Sequence, residues 1–181
     1  IAKKLNAKGN LSKNSISEGI INNIRKTIIR EQLNDPRFYQ EMSLLLNDLI
    51  RQKETETIAY EQFLQNAEAL VKKISSKESS EDYPSILKDN KEAIVLFNNL
   101  QDIQSSNLKE QNIKDQNLEE KQTRANLALK IDNIMREKAP ADFRGDETRE
   151  RLILNEIYPL LDKNSEATLK IFEIIKEQKG Y

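Results

Sequence analysis

The sequence predicts an all-α chain, and three observations carry that prediction. Apolar residues recur at helical spacing, as in Ile20, Ile24 and Ile28 with Ile21 beside them. Glycine is limited to 4 scattered residues, and no segment alternates apolar with polar for the length of a strand. Leu and Ile dominate the apolar content while aromatic residues make up 6%, which suits slender helices better than a thick sheet. The expected architecture is a multi-helix bundle with one long helix, about 36–74, and a mobile polar segment, about 101–122.

Residues 1–14 carry Lys3, Lys4, Lys8 and Lys13, with Gly9 interrupting any helix, and no acid precedes Glu18. They read as a basic linker from a preceding domain, a solvated connector that can also touch phosphates. The remainder, 15–181, reads as a single helical domain. Ser15-Ile16-Ser17-Glu18 has the pattern of a capping box, so the isoleucine stripe should begin there and run to about Glu31.

Asp35-Pro36 supplies a cap and a proline at the first helical position, where a missing N–H costs nothing. From Arg37 to Tyr83 there is neither glycine nor proline. Phe38, Met42, Leu45 and Leu49 form one stripe, and Tyr60, Phe63, Ala67, Leu70 and Ile74 form another. Between them "RQKETET" holds no apolar residue. Read as unbroken, this helix would span roughly 55–60 Å at 1.5 Å per residue, with a polar waist joining two packed halves.

A serine-rich loop closed by Pro84 follows, then a short helix with Ala93, Ile94, Leu96, Phe97 and Leu100. From Gln101 to Gln122 the composition turns to Gln, Asn, Lys and Glu, and Leu108, Ile113 and Leu118 stand five apart, a spacing of neither helix nor strand. Leu127, Ile131 and Ile134 or Met135 restore a helix that stops near Ala139-Pro140. Asp146 caps the next, which runs through Leu152, Ile153 and Ile157 and is perturbed at Pro159. Asn164 or Ser165 opens the last, through Leu169, Phe172 and Ile175 to Gly180.

The composition narrows the chemistry. The 181 residues carry 29 basic and 30 acidic side chains, so any basic patch must be local. Without histidine the usual general base and commonest metal ligand are missing, and without cysteine there is neither thiolate chemistry nor a disulfide framework. Zinc is excluded on the same ground. The four glycines stand too far apart for a phosphate-cradling loop. No catalytic, cofactor-binding or metal residue is expected. No apolar run reaches the roughly 18 residues of a membrane span, and a reducing, cytoplasmic setting is expected. The chain opens at Ile1 and is expected to be a piece of a larger one.

Three patterns imitate chemistry. Asp162, Asn164, Glu166 and Glu173 fall at positions of a calcium loop, but Ala167 stands where its glycine belongs and the apolar stripe demands a helix. Glu119-Glu120-Lys121 and Glu177-Gln178-Lys179 match the end of a nuclease motif without its strand or its upstream Asp. Tyr39, Tyr60 and Tyr83 can stack on bases, yet Tyr39 and Tyr60 sit on or beside apolar stripes and core or rim packing is the favoured reading.

The stretch "DFRGDETRER", residues 142–151, is the sharpest candidate site. Gly145 next to Asp146 makes a turn and a cap, Phe143 anchors it on the core, and Arg144, Arg149 and Arg151 alternate with acids. Those arginines can clamp phosphates or an acidic partner, although neighbouring acids cancel much of their field. Phe143, Arg144, Gly145, Arg149 and Arg151 are therefore the candidate partner or phosphate contacts.

Several runs taken together carry a resemblance. "NNIRKTIIREQLNDPRFYQEMSLLLNDLIRQKETETIAYEQFLQNAEALVKKI", "LFNNL", "LALKIDNIMREKAPADFRGDETRERLILNEIYPLL" and "LKIFEIIKEQKGY" resemble the C-terminal helical region of the restriction subunit of type I restriction–modification enzymes. The most specific set is Asn23, Ile24, Arg25, Asp35, Pro36, Phe38, Tyr39 and Tyr60-Glu61, and the likeness is thin across 1–14 and 101–124. Members often carry tryptophan where Phe143 stands, so Phe143 keeps the packing role and loses the indole N–H.

The resemblance implies a parent chain with a nuclease domain and two helicase-like ATPase domains, which uses ATP and magnesium to translocate DNA and cleave unmethylated foreign DNA. None of those catalytic motifs is in this sequence, so no cofactor is expected here. The implied role is subunit or interdomain docking. The implied partners are the methyltransferase and specificity subunits and the motor domains of the same chain, with double-stranded DNA as a further candidate. The alternatives are a helical DNA-contacting module and an unrelated helical scaffold. Arg144 is the best candidate for the partner or phosphate contact.

Overall fold

The computed structural model describes residues 12–77, 83–104 and 115–181. Among them are seven α-helices and no strand, so the all-helical class predicted from the sequence is found. The helices are α1 (Lys13–Glu31), α2 (Pro36–Glu54), α3 (Tyr60–Ser76), α4 (Lys91–Gln104), α5 (Asp115–Lys138), α6 (Glu147–Ile157) and α7 (Ser165–Glu177). Short 3-10 turns at Ser85–Leu87 and Tyr158–Leu161 precede α4 and α7.

Where the sequence reads 15–181 as one domain, the contacts divide the chain into two compact units. Unit 1 comprises Ile1–Gln32 and Arg37–Glu81, and unit 2 comprises Leu33–Pro36 and Asp82–Tyr181. Each encloses its own hydrophobic cluster.

In unit 1 the isoleucine stripe is as expected, with Ile16, Ile20, Ile21, Ile24 and Ile28 all buried. Helix α1 starts one turn before the expected capping box. Ser12 is its N-cap, the hydroxyl accepting from the Ser15 amide at 3.1 Å. Residues 12–14 thus belong to the start of this helix, and the rest of the basic linker lies outside the described residues.

The continuous helix over 36–74 is not found. It is two helices, α2 and α3, parted at residues 55–59. Glu56 is left-handed (φ 51°), the Thr55 hydroxyl donates to the Arg51 carbonyl, and both the amide and the hydroxyl of Thr57 donate to the Gln52 carbonyl. The polar waist has no apolar side chain to hold it on a core, and its threonine hydroxyls compete for the helical carbonyls. The chain breaks there. The buried face of α2 is Phe38, Tyr39, Met42, Leu46 and Leu49, so Leu46 takes the place expected for Leu45, which is exposed. Because Tyr39 is buried as well, the inward face is centred between Phe38 and Tyr39, and at 3.6 residues per turn Leu46 falls within it while Leu45 falls beyond its edge.

Unit 2 is built around α4 and α5, with α6 packed on α5 and α7 on α4 and α6. Its core includes Phe97, Leu100, Ile131, Ile157, Ile171 and Phe172. The expected caps hold: the Asp146 carboxylate accepts from the Thr148 and Arg149 amides, and the Asn164 side chain accepts from the Ala167 amide. Leu152 and Leu169, expected on the apolar stripes, are exposed, while Ala167 and Ile171 face inward. Helix α4 extends to Gln104 and α5 begins at Asp115, so both ends of the expected polar segment are helical. The stretch 105–114, on which the expectation of mobility falls, lies outside the described residues.

Met42 is fully buried in the unit 1 cluster. Met42→Ala should lower stability by about 2–5 kcal/mol, read from the urea midpoint at unchanged m-value.

Candidate functional site

Residues 142–146 of the stretch 142–151 fold as an ordered turn between α5 and α6, and 147–151 form the start of α6. The Asp146 amide donates to the Phe143 carbonyl at 3.1 Å, Asp142 is left-handed (φ 53°), and Gly145 takes φ 81°. Only glycine adopts that last conformation without strain, which explains this residue in a chain that otherwise avoids it. The Gly145 amide donates to the Glu150 carboxylate at 2.9 Å, which closes the turn onto the first coil of α6.

Phe143 is 2% exposed and its ring lies 6.2 Å from that of Phe172. Arg144 rests over the Phe143 ring at 4.6 Å, and its guanidinium donates in three directions to backbone carbonyls. Nε reaches the Lys176 carbonyl at 2.8 Å, Nη2 the Gln178 carbonyl at 2.5 Å and Nη1 the Tyr181 carbonyl at 3.0 Å. A helix leaves its last carbonyls without intrahelical partners, and a cation placed there also meets the negative end of the helix dipole. Arg144 fulfils both needs of α7.

The other two arginines differ. Arg149 donates to the Ala141 carbonyl at 2.6 Å and pairs with Asp146 at 3.3 Å, which ties it into the turn. Arg151 points outward, paired only with Glu147 one helical turn back at 2.9 Å, both side chains largely exposed. The structure thus joins Phe143, Arg144, Gly145 and Arg149 in one joint and leaves Arg151 on the surface.

Two buried carboxylates organise the rest of unit 2; Asp132 does not stand out in the sequence, and Asp35 does so as a helix cap rather than as a buried acceptor. Asp35 is 3% exposed and accepts from the Asn98 and Asn99 side-chain amides, each at 2.8 Å. Next to it the Asn34 carbonyl accepts from Gln178 Nε2 at 2.6 Å. Asp132, 1% exposed in its side chain, accepts from Asn90 Nδ2 at 2.7 Å, from Arg136 Nε at 2.9 Å and from the Tyr181 hydroxyl at 2.7 Å. Arg136 also pairs with Glu92 at 3.2 Å. Burial pushes the Asp132 carboxyl up, but the hydrogen bonds from Arg136, Asn90 and Tyr181 outweigh it and hold the group below the usual carboxylate range. Burial, then the bond to Asp132, pushes the Tyr181 hydroxyl well above the usual phenol range, so it remains a donor.

Three further tyrosines make ring contacts, and Tyr158 is exposed. Tyr39 stacks edge-on against Phe38 at 5.0 Å, Tyr83 against Phe97 at 6.0 Å, and Tyr60 lies under the Lys13 ammonium at 4.9 Å. Among the described residues no group of three or more acidic side chains is placed to hold a metal ion. No helix among them is long and apolar enough to cross a membrane.

Asp35→Ala would leave the Asn98 and Asn99 amides without their charged acceptor inside the fold. A loss of about 2–4 kcal/mol is expected in urea unfolding of the full chain. The depressed Asp132 pKa sets a pH window: its contribution is complete above the unfolded-state value near pH ~4 and is lost as pH falls through the folded value. Between about pH 4 and pH 2 the wild type should therefore lose more stability than Asp132→Asn, measured as urea midpoints at each pH. Equal losses would mean that Asp132 is not held as its neighbours require.

Compared with protein families, with curated proteins and with solved structures, the chain matches none.

Proposed function

We propose that this chain is the C-terminal helical assembly domain of the restriction subunit of a type I restriction–modification enzyme. In this reading it performs no chemistry itself and docks the subunit, through its helical faces, onto the motor domains of its own chain and onto the methyltransferase and specificity subunits. The parent enzyme would use ATP and magnesium in the cytoplasm to translocate and cleave unmethylated DNA.

One observation carries the reading. The runs that bear the resemblance are separate in sequence, and unit 2 uses polar residues from all four together. Asp35 of the first accepts from Asn98 and Asn99 of "LFNNL". Arg144 of the third donates to Lys176, Gln178 and Tyr181 of the fourth, and Gln178 reaches back to Asn34 of the first. Residues that resemble a family's helical region are here the joints of a helical framework, which supports kinship in fold and, through it, a role as a platform.

With Arg144 and Arg149 engaged in the joint, Arg151 is the candidate of the five best able to meet a partner. Its pair with Glu147 is exposed and worth about 0–1 kcal/mol, so an acidic surface can displace it at little cost. The test is a titration of the chain against the purified methyltransferase–specificity complex, with duplex DNA as the parallel ligand, at two salt concentrations. Binding to the protein complex is expected, with Arg151→Glu weakening it roughly threefold to tenfold, chiefly through the association rate. Binding to neither ligand would remove docking onto the methyltransferase and specificity subunits and leave the motor domains of the same chain as the partner. Binding to DNA alone, falling steeply with salt, would replace it with a DNA-contacting one.

A further inference from the structure

Residues 178–181 follow α7 without continuing it. Gln178 leaves the helix extended (φ −77°, ψ 133°), and the chain then runs across the surface of unit 2. Lys179 and Gly180 are exposed, and a Cβ on Gly180 would fall 2.2 Å from Glu92 Oε1, so the segment passes hard over the first turn of α4.

Three fastenings hold it, each to a different part of unit 2. The Arg144 guanidinium grips the Gln178 and Tyr181 carbonyls from the turn before α6. The Gln178 side-chain amide donates to the Asn34 carbonyl in segment 33–36. The Tyr181 hydroxyl donates to Asp132 on α5. Besides these hydrogen bonds the Tyr181 ring packs on the rim of the apolar cluster that holds the helices beneath, whose centre is made of fully buried side chains such as Phe97, Ile131, Ile157 and Ile171. Lifting the segment uncovers that rim and leaves the central side chains in contact with one another.

We infer that residues 178–181 form a strap that detaches from unit 2 as one piece, and that its release frees Nη1 and Nη2 of Arg144 to bind an anionic group while Nε stays on the Lys176 carbonyl. The fastenings lie within four consecutive residues, so slack introduced at one is passed to the others. Closed, the strap occupies Arg144 with carbonyl oxygens, the same acceptor geometry that a carboxylate or phosphate would offer. The inference does not depend on which macromolecule the chain docks to.

The test is 15N relaxation on the full chain, reading backbone order parameters at 178–181 and the Gln178 side-chain amide. In the wild type the strap should show values above about 0.8. Tyr181→Phe, which removes one hydroxyl at the far end, should lower all four residues together to below about 0.6 and average the Gln178 side-chain signal, while amides around Ile131 keep their values. Arg144→Ala should do the same; if that variant does not fold, Gln178→Ala replaces it. Mobility confined to Gly180 and Tyr181 in Tyr181→Phe, or a strap already mobile in the wild type, would overturn the inference.

Discussion

The guanidinium of Arg144 satisfies carbonyls that the last helix leaves open at its end, and much of unit 2 is arranged around that contact. Its position is set from below by the Phe143 ring and from behind by a turn that needs Gly145 at positive φ. Because Arg144 gathers the Lys176, Gln178 and Tyr181 carbonyls, the Gln178 amide reaches Asn34 and the Tyr181 hydroxyl reaches Asp132. Asp132 in turn fixes Asn90, whose side-chain oxygen caps α4 through the Ala93 amide. One planar fork thus links the turn before α6, the end of α7 and, through Tyr181, the start of α4. Lysine offers a point charge on a flexible stem and cannot reproduce that three-way grip.

This arrangement changes how the charged stretch 142–151 is understood. In the sequence it reads as a turn and cap anchored by Phe143, with its arginines left for a partner or a phosphate. In the fold most of those charges are directed at backbone: Arg149 at the Ala141 carbonyl, Asp146 at the amides of α6, Glu150 at the Gly145 amide. A polar group near the end of a helix serves the fold first, because unpaired backbone groups there are costly when water is excluded. Arg151, one turn further into α6, is past that demand and stays outward.

The apolar half of the structure was largely legible in the sequence. The isoleucine stripe of α1, the caps at Asp146 and Asn164 and the proline opening α2 follow from local spacing and local hydrogen-bonding chemistry. The break between α2 and α3 was harder. Gly and Pro are absent there, and two threonines and a left-handed glutamate do the work that punctuating residues usually do. The buried polar framework was not legible, because Asp35, Asn98, Asn99 and Asp132 are ordinary polar residues until partners dozens of positions away converge on them. Arg144 was singled out as a partner or phosphate contact, whereas its acceptors in the fold are carbonyls in 176–181, a stretch whose composition carries no pattern pointing back to it.

A framework of satisfied polar joints specifies one arrangement of helices, which is what a platform requires. The most direct test of the account is the thermal midpoint of Arg144→Lys against that of the wild type. Lysine keeps the charge and so would preserve a generic electrostatic contact, but it loses the fork. The account predicts a clear drop, about 2–8 °C for a loss near 1–2 kcal/mol in a chain of this size. A midpoint equal to the wild type would show that the carbonyl grip contributes nothing and that Arg144 is kept for a contact outside the chain.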